Sequence, residues 1–437
     1  MKKLEEKRWK SRFTDGKPAE DKTKMKKLED YRWEAWNCYR DSMCKYVFTW
    51  HVKSDRFSRM CPSLIKYQFD AYSAQGRLDV ARAMIEGDLE WSDKLLDVVY
   101  KCQLCGGCDY VCGRIKEIQP GRVIQAMRAK LVADGKGPPP EFKELMENLR
   151  ESQNPYKEPN SKRADWLKHF EESVNLDDVE IPDASKSENL LYVGCSPLRD
   201  PDAEAMPKTV AELLIRGGFN VAIMGEEEKC CGNPSLRIGD QDEFVAFARE
   251  NIKMLNERGV KKLVCMCPYC YSTFRRDYPY VGEKMNFEVV HVIEVIADLI
   301  EAGKLKPKKK KELTVTYHDP CHLGRISGDG VSGTNAFTGL YDAPRRILNA
   351  IPGVKLIEME RIKDDTLCCG AGSWMNKAYP DFAESTAVER ITEAHTTSAE
   401  ALVTHCPHCE EHFGKTLAKS GSSMKLYNLL ELVLEAL

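Results

Sequence analysis

Ten cysteines fall in one order in two consecutive parts of the chain, and this repeat constrains the fold more than any other sequence feature. Each part contains a single cysteine, then a Cys-Cys-Gly triplet, then a Cys-Pro-x-Cys quartet. The distance from the triplet to the quartet is almost preserved, because Cys231 and Cys267 are 36 positions apart and Cys369 and Cys406 are 37 positions apart. The pattern predicts a duplicated structural unit.

Short apolar runs of β type precede several of these cysteines and alternate with amphipathic helical segments. The runs are NLLYVGC, FNVAIMG, KKLVCMC, FEVVHV, ELTVTYHDPC, VKLIEME and EALVTHC. Such alternation predicts βαβ units and a parallel sheet. We therefore place one α/β lobe at residues 188–304 and a second at 312–437, related by an approximate two-fold axis. Because ligands gather at the carboxyl ends of parallel strands, the thiols of each lobe should converge on one crevice.

The first third of the chain has a different pattern. Residues 1–30 form a charged tail, and residues 31–137 show helical spacing and contain seven cysteines. The prolines Pro138 to Pro140 end this helical part, and residues 138–187 are interpreted as a linker. The predicted fold class is thus α+β multidomain, with an α-helical domain followed by two α/β lobes.

Length, charge and cysteine content exclude several classes of protein. The 437 residues favour two or three domains, and the formal net charge of −3 argues against nucleic acid as a partner. No stretch approaches the ~18 uninterrupted apolar residues of a membrane span, so we expect a cytoplasmic protein that meets a membrane only through a partner subunit. Eighteen cysteines in a reducing compartment indicate metal or redox chemistry.

Five cysteines per lobe exceed the four ligands of a structural zinc, and adjacent cysteines rarely both reach one small ion. Two adjacent thiolates can instead bind different irons of a cluster. Two alternatives stay open from the residues alone: a zinc site built from the two quartets, and a dithiol oxidoreductase with reactive thiols. Cys265 fits no pattern and is interpreted as an ordinary buried thiol.

The order C…CCG…CxxC, complete in both lobes, resembles the CCG domain of heterodisulfide reductase catalytic subunits over about 250 residues. This resemblance implies that each set of five cysteines holds a non-cubane 4Fe-4S cluster, and that a disulfide is cleaved with one thiol landing on an iron of each cluster. The first set would be Cys195, Cys230, Cys231, Cys267 and Cys270, and the second Cys321, Cys368, Cys369, Cys406 and Cys409.

The helical domain contains the run KCQLCGGCDYVCG, which is typical of cubane 4Fe-4S ligation. Its cysteines are Cys102, Cys105, Cys108 and Cys112, and a structural zinc is the alternative. In runs of this type the fourth cysteine often serves a second cluster, so Cys61, which precedes a proline, is expected to complete the first cluster. Cys38, Cys44 and Cys112 then remain for a second cluster. Either a non-cysteine ligand such as His51 completes it, or it holds three irons, or it is absent.

Several histidines and arginines lie near the cysteines in sequence. His318, His322, His405 and His408 are expected to be structural, although His322 is a candidate for delivering a proton to a departing thiolate. Four arginines are candidates for receiving an anionic substrate tail or for ordinary surface positions: Arg199, Arg237, Arg275 and Arg325.

The helical domain followed by two CCG lobes resembles the layout of single-chain heterodisulfide reductase subunits. The resemblance implies that one or two cubane clusters relay electrons to two non-cubane clusters, which reduce or form a small disulfide or thiol substrate. No nucleotide fingerprint follows a strand, so neither bound flavin nor NAD is expected. Electrons would come from a flavin- or iron-sulfur-containing subunit or a membrane cytochrome subunit. The alternatives are a subunit that only transfers electrons within a larger redox complex, and a zinc-stabilised scaffold.

Overall fold

The computed structural model describes residue 21 and residues 23–173, 187–199, 201–328 and 339–437. The charged tail therefore lies almost entirely outside the described residues. Eight strands within the described part form two four-stranded parallel sheets, ordered β2-β1-β3-β4 and β6-β5-β7-β8. The strands are β1 (Asn189–Tyr192), β2 (Ala222–Ile223), β3 (Lys262–Cys265), β4 (Glu288–His291), β5 (Leu313–Tyr317), β6 (Val354–Leu356), β7 (Ala401–Thr404) and β8 (Lys425–Asn428). The predicted α/β lobes with parallel sheets are thus confirmed.

The α-helices are most numerous before the sheets and between the strands. Those of the N-terminal part are α1 (Arg32–Trp36), α2 (Pro62–Tyr67), α3 (Ala74–Glu86), α4 (Asp93–Tyr100), α5 (Gly107–Lys116) and α6 (Pro120–Ala133). The segment expected as a linker contains α7 (Lys143–Ser152) and α8 (Asp165–Ser173). The first lobe has α9 (Ala205–Arg216), α10 (Asn233–Ile238), α11 (Gln241–Glu257), α12 (Pro268–Ser272) and α13 (Val292–Glu301). The second has α14 (Asp342–Ala350), α15 (Met375–Ala378), α16 (Pro380–His395), α17 (Pro407–Ser420) and α18 (Leu429–Ala436).

Local sequence explains several of these boundaries. The Ser73 side chain caps α3 by accepting a hydrogen bond from the Gly76 N–H, and the helix ends at Gly87 in the left-handed conformation. Pro120 begins α6, as its position in the sequence predicts. None of the helices in the described ranges combines the length and the apolar character needed to cross a bilayer.

The two lobes pack through reciprocal pairs of helices. Helix α9, after β1, packs on α18, and α13, after β4, packs on α14. Each pair joins a helix that follows the first strand of one lobe to a helix that follows the last strand of the other, which is the arrangement that a two-fold relationship produces. One apolar core includes Leu191 and Val264 of the first sheet and Val315 and Val403 of the second. The carboxyl ends of both sheets are therefore held in a fixed relationship.

Candidate metal centre

The first five-cysteine set is gathered at the carboxyl end of the first sheet. Cys195 follows β1 and Cys267 follows β3, two strands that pair in parallel. The thiols hydrogen-bond in an unbroken order: Cys195, Cys230, Cys231, Cys270 and Cys267. All five line one cavity of about 370 Å³, part of which is open to solvent. The structure thus brings together every member of the set that the sequence proposes for this lobe.

The second five-cysteine set repeats the first in the second lobe. Its thiols hydrogen-bond in the equivalent order: Cys321, Cys368, Cys369, Cys409 and Cys406. All five are buried, with at most 5% of any residue exposed. We call the two sets the first and second quintets.

The triplets and quartets place the thiols through their glycine and proline residues. Gly370 has a φ of +104°, and a Cβ at this position would lie 2.3 Å from the Ala383 carbonyl oxygen, so only glycine fits. Its N–H donates to Cys368 Sγ at 3.4 Å. Pro268 and Pro407 each occupy the first position of a helix, so that the quartet cysteines lie at the start of α12 and α17.

Arg163, from the segment expected as a linker, contacts the first quintet. Its Nη2 lies 3.2 Å from Cys195 Sγ, and its Nη1 donates to the Gly194 carbonyl oxygen at 2.9 Å. The Glu228 carboxylate accepts from Arg163 at 3.3 Å and from the Gly194 N–H at 2.6 Å. Burial raises the pKa of Glu228 to about 8, and the Arg163 charge limits the rise. Sequence reasoning missed Arg163, because it lies far from every cysteine in a polar segment.

Arg325 is the corresponding cation of the second quintet. It is 4% exposed, and its Nη1 donates to the carbonyl oxygens of Thr366 at 2.7 Å and Asp364 at 2.9 Å. Burial lowers the pKa of Arg325, but the neighbouring thiols of Cys105 and Cys321 outweigh this effect and raise it. Because its donors are directed at the protein interior, Arg325 is not placed to receive a substrate.

The other three candidate arginines also have protein partners. Arg237 is buried and pairs with Asp277 at 3.1 Å. Arg199 pairs with Glu411 at 3.3 Å, and the Tyr271 hydroxyl accepts from Arg275 at 3.1 Å. The hypothesis that these residues bind an anionic tail finds no support in the geometry.

The two lobes exchange side chains between their quintets. Tyr269 occupies the variable position of the first lobe's quartet, yet its neighbours include the second-quintet thiols Cys321 and Cys369. His408 occupies the same position in the second lobe and hydrogen-bonds to Cys267 of the first quintet. The ring centroids of Tyr269 and His408 are 4.4 Å apart. Sequence reasoning treated His408 as structural and did not single out Tyr269, because the packing of one lobe on the other was not known.

His322, the predicted proton donor, also lies between the quintets. Its ring stacks on Tyr269 at 3.8 Å with an interplanar angle of 17°, and its Nδ1 lies 2.7 Å from Ser272 Oγ. Burial lowers the pKa of His322 well below its usual value, so the ring is neutral. Tyr269, His322 and His408 thus form one group of side chains between the two sets of thiols.

Four N-terminal cysteines form a third group of neighbouring thiols: Cys61, Cys102, Cys105 and Cys108. Burial raises the pKa of Cys61 to about 11, and the thiols of Cys102 and Cys44 add to the rise. Cys105 also neighbours Cys368, so this group lies next to the second quintet.

Two glycines permit this close approach. A Cβ at Gly372 would lie 2.6 Å from the carbonyl oxygen of Gln103, inside the N-terminal cysteine run. A Cβ at Gly107 would lie 3.4 Å from Arg325 Nη1 and 3.2 Å from the Met60 side chain. The N-terminal run therefore packs directly on the Cys-Cys-Gly segment of the second lobe.

Cys38, Cys44 and Cys112 form a fourth group. All three line one cavity near the surface, and the thiols of Cys44 and Cys112 hydrogen-bond to each other. Asp41 lines the same cavity. His51, suggested by the sequence as a further ligand, does not line it, and its Nδ1 lies 2.6 Å from Asp365 Oδ2 instead.

The thiol groups fit iron-sulfur clusters chemically. All eighteen cysteines are free of disulfide bonds, and seventeen of them belong to the four groups. Burial and neighbouring thiols raise the pKa of Cys108, Cys270 and Cys409, so these groups do not ionise together without a compensating positive charge. Cations that bind thiolates supply that charge. A quintet offers one thiol more than a tetrahedral zinc accepts.

Comparison with known proteins agrees with this chemistry. The model of the CCG cysteine-rich domain matches residues 190–275 and 315–414, one match in each lobe. The D subunit of the dihydromethanophenazine:CoB–CoM heterodisulfide reductase from Methanosarcina mazei is 34% identical over 371 residues, which are 84% of this chain and 84% of that protein. The chain belongs to this family of heterodisulfide reductase subunits. It is accordingly an iron-sulfur oxidoreductase.

Other relatives carry different names. The EtfAB:quinone oxidoreductase of Syntrophomonas wolfei is 31% identical, over 78% of this chain and 47% of that protein. The B subunit of the fumarate reductase (CoM/CoB) of Methanothermobacter marburgensis is 31% identical, over 77% of this chain and 61% of that protein. Similarity to this chain therefore extends to proteins named for different reactions.

Proposed function

We propose that this protein is the subunit of a redox complex in which a small disulfide is reduced or formed between the two quintets. The observation that carries the proposal is the side-chain exchange, since Tyr269 and His408 each extend from one lobe to the thiols of the other. A substrate held at this junction would face both sets of thiols at once. Disulfide reduction takes two electrons and two protons, RSSR′ + 2 e⁻ + 2 H⁺ giving RSH + R′SH, and the paired centres match this requirement.

The quintets are proposed to hold two non-cubane 4Fe-4S clusters. The third group, Cys61, Cys102, Cys105 and Cys108, is proposed to hold a cubane cluster. For the fourth group we propose a cubane cluster held by Cys38, Cys44 and Cys112, with the carboxylate of Asp41 as the fourth ligand, because Asp41 lines the cavity of these thiols. When bound, these clusters supply one-electron transfer and, in the quintets, iron with affinity for thiolates.

The chain's own residues shape the region between the quintets. The Tyr269 ring and the half-buried His408 line the cavity of the first quintet, and Trp374 completes this wall at 5.6 Å from the His408 ring. Tyr156 lies 5.8 Å from Trp374 and brings the segment after α7 to the same cavity. We assign to these aromatic side chains the orientation of the substrate, and to His322 and His408 the supply of protons.

The order of the thiol groups suggests a direction for electron flow. Cys44 neighbours Cys61 and Cys108, so the fourth group adjoins the third, and Cys105 neighbours Cys368 of the second quintet. A partner subunit that contains flavin, an iron-sulfur cluster or a membrane cytochrome would therefore exchange electrons at the fourth group, whose cavity opens near the surface. Electrons would pass from there to the third group and the second quintet.

The second candidate function is electron transfer without disulfide chemistry. The relatives named for quinone and fumarate reactions favour it, because a shared family does not fix a shared substrate. Under this function the region between the quintets would bind no disulfide.

An anaerobic assay separates the two functions. The purified protein, reduced by a viologen dye, is mixed with a series of small mixed disulfides, and dye oxidation and thiol release are measured. We expect two dye molecules oxidised for each disulfide reduced. His408→Ala and Tyr269→Ala should lower this rate at least tenfold with iron content unchanged, whereas His395→Ala, at an exposed histidine that bonds Ser422, should not. Rapid dye oxidation by other acceptors, with no thiol released from any disulfide, would favour electron transfer alone.

A further inference from the structure

His318 lies at the end of β5 and contacts the second quintet. It is 1% exposed, and one ring nitrogen and the sulfurs of Cys369 and Cys409 lie within 4.8 Å of one another. The ring of Phe413 meets it edge-on at 4.9 Å. The imidazole is therefore fixed against two thiols of this quintet.

Arg390 determines which ring nitrogen carries the proton. Its Nε lies 3.2 Å from His318 Nδ1, and an arginine can only donate. Nδ1 must then accept, so the proton of the neutral ring is on Nε2. Arg390 is itself held in place, because it donates to Glu393 at 2.6 Å and to the Arg361 carbonyl oxygen at 2.9 Å.

The Nε2–H of His318 has no acceptor among the described protein atoms, although it is buried. A buried N–H without a partner costs about 1–3 kcal/mol, so buried donors are almost always satisfied. The thiols of the quintet and whatever they bind are the remaining candidates next to this ring.

The first lobe has no such donor at the equivalent position. Leu191 pairs with Val264 and Tyr317 pairs with Val403, and both valines precede the first cysteine of a quartet by three residues. His318 is therefore the counterpart of Tyr192. Tyr192 also neighbours its quintet, at Cys231 and Cys270, but its hydroxyl donates to the Lys229 carbonyl oxygen.

We propose that His318 donates its Nε2–H to a sulfur of the cluster held by the second quintet and thereby stabilises the reduced form of that cluster relative to its counterpart in the first lobe. Hydrogen bonds to cluster sulfurs raise the reduction potential because they stabilise the more negative state. The inference rests on the proposed function only in requiring that the second quintet binds a cluster. It excludes His318 as an iron ligand, since the Nε2 lone pair is protonated while Arg390 occupies Nδ1. His318 is thus a positioning and tuning residue.

Pulsed electron resonance of the reduced holoprotein, with histidine labelled by ¹⁵N, tests the assignment. A hydrogen-bonded nitrogen couples weakly to the cluster spin, and a ligated nitrogen couples strongly. We expect a weak ¹⁵N coupling that disappears in His318→Leu. A strong coupling, or none assigned to His318, would overturn the inference even if the leucine variant failed to assemble.

Redox titration gives a second readout. In His318→Leu we expect about tenfold less reduced second-lobe cluster at a fixed potential, a shift of about 59 mV for one electron. His318→Gln, whose amide keeps an N–H group near the position of Nε2, should recover part of the shift. Tyr192→Phe is the matched control and should leave both potentials unchanged. Iron and sulfide per wild-type chain are measured in parallel, because missing clusters would refute the proposed function, whereas clusters with unshifted potentials would refute only the role of His318.

Discussion

The guanidinium of Arg163 lies 3.2 Å from Cys195 Sγ and also holds the buried carboxylate of Glu228 at 3.3 Å. The two lobes obtain their cations in different ways, because Arg325 follows Cys321 closely in sequence whereas Arg163 comes from a segment outside both sheets. A duplicated unit has thus been completed in its first copy by a separate part of the chain.

Replacing Arg163 by glutamine should destabilise the protein by about 3–5 kcal/mol, the range for removing one partner of a buried ion pair. The reason is that Glu228, 2% exposed, would remain buried without its cation. Anaerobic chemical denaturation of the holoprotein measures the difference. Arg346→Gln is the control, since this arginine is 44% exposed and its pairs with Asp298 and Glu301 lie at the surface. A surface change of this kind should cost no more than about 0.5 kcal/mol, and equal losses in the two variants would refute the structural role of Arg163.

Gly372→Ala should destabilise the contact between the N-terminal run and the second lobe. The new Cβ would lie 2.6 Å from the Gln103 carbonyl oxygen, and overpacking of this kind costs about 1–3 kcal/mol. Gly414→Ala tests the opposite case in α17, where the nearest atom would be Leu426 Cδ2 at 3.7 Å. In that helix interior alanine should stabilise by about 0.5–1 kcal/mol. Thermal unfolding of both variants provides the measurement, and a stabilising Gly372→Ala would show that the two segments do not pack as described.

Cys369→Ala should remove one cluster, about four of the sixteen irons expected for four 4Fe-4S clusters in a chain. Cys369 hydrogen-bonds to both Cys368 and Cys409 and therefore lies in the middle of its quintet. Cys265→Ala is matched in chemistry and burial but lies outside every group, so its iron content should equal that of the wild type. Iron and acid-labile sulfide analysis decides, and zinc in place of iron in the wild-type protein would refute the cluster assignment.

The parts of the site that the sequence predicted are those encoded locally. Each quintet lies at strand ends marked by apolar runs, and the chain order of its cysteines matches the contacts that form around Cys231 and Cys369. The strand β8 was not predicted, because KLYN is short and partly exposed at the edge of its sheet. Arg163 and the exchange of Tyr269 and His408 depend on how separate segments pack. No periodicity encodes that packing, so these residues could only be found in the structure.

The fourth thiol group shows the same distinction for one ligand. The sequence predicted three cysteines and left the remaining ligand open, with His51 as one candidate. In the structure His51 contacts Asp365, while Asp41 lines the cavity of Cys38, Cys44 and Cys112. Asp41 Oδ1 accepts from the Met43 N–H at 3.0 Å, which orients the carboxylate within this loop.

Asp41 variants therefore test the proposed fourth ligand. A carboxylate binds iron less firmly than a thiolate, so the iron it holds should exchange most easily. Asp41→Ala should convert this cluster to a three-iron form after mild oxidation and lower the iron content by about one per chain, whereas Asp41→Cys should make the fourth iron resistant to chelators. Electron resonance distinguishes the two forms, because an oxidised three-iron cluster gives a signal that an oxidised four-iron cubane lacks. His51→Ala is the control, since it breaks only the contact with Asp365. If His51→Ala produced the three-iron signal and Asp41→Ala did not, the histidine would be the ligand and the cavity assignment would be wrong.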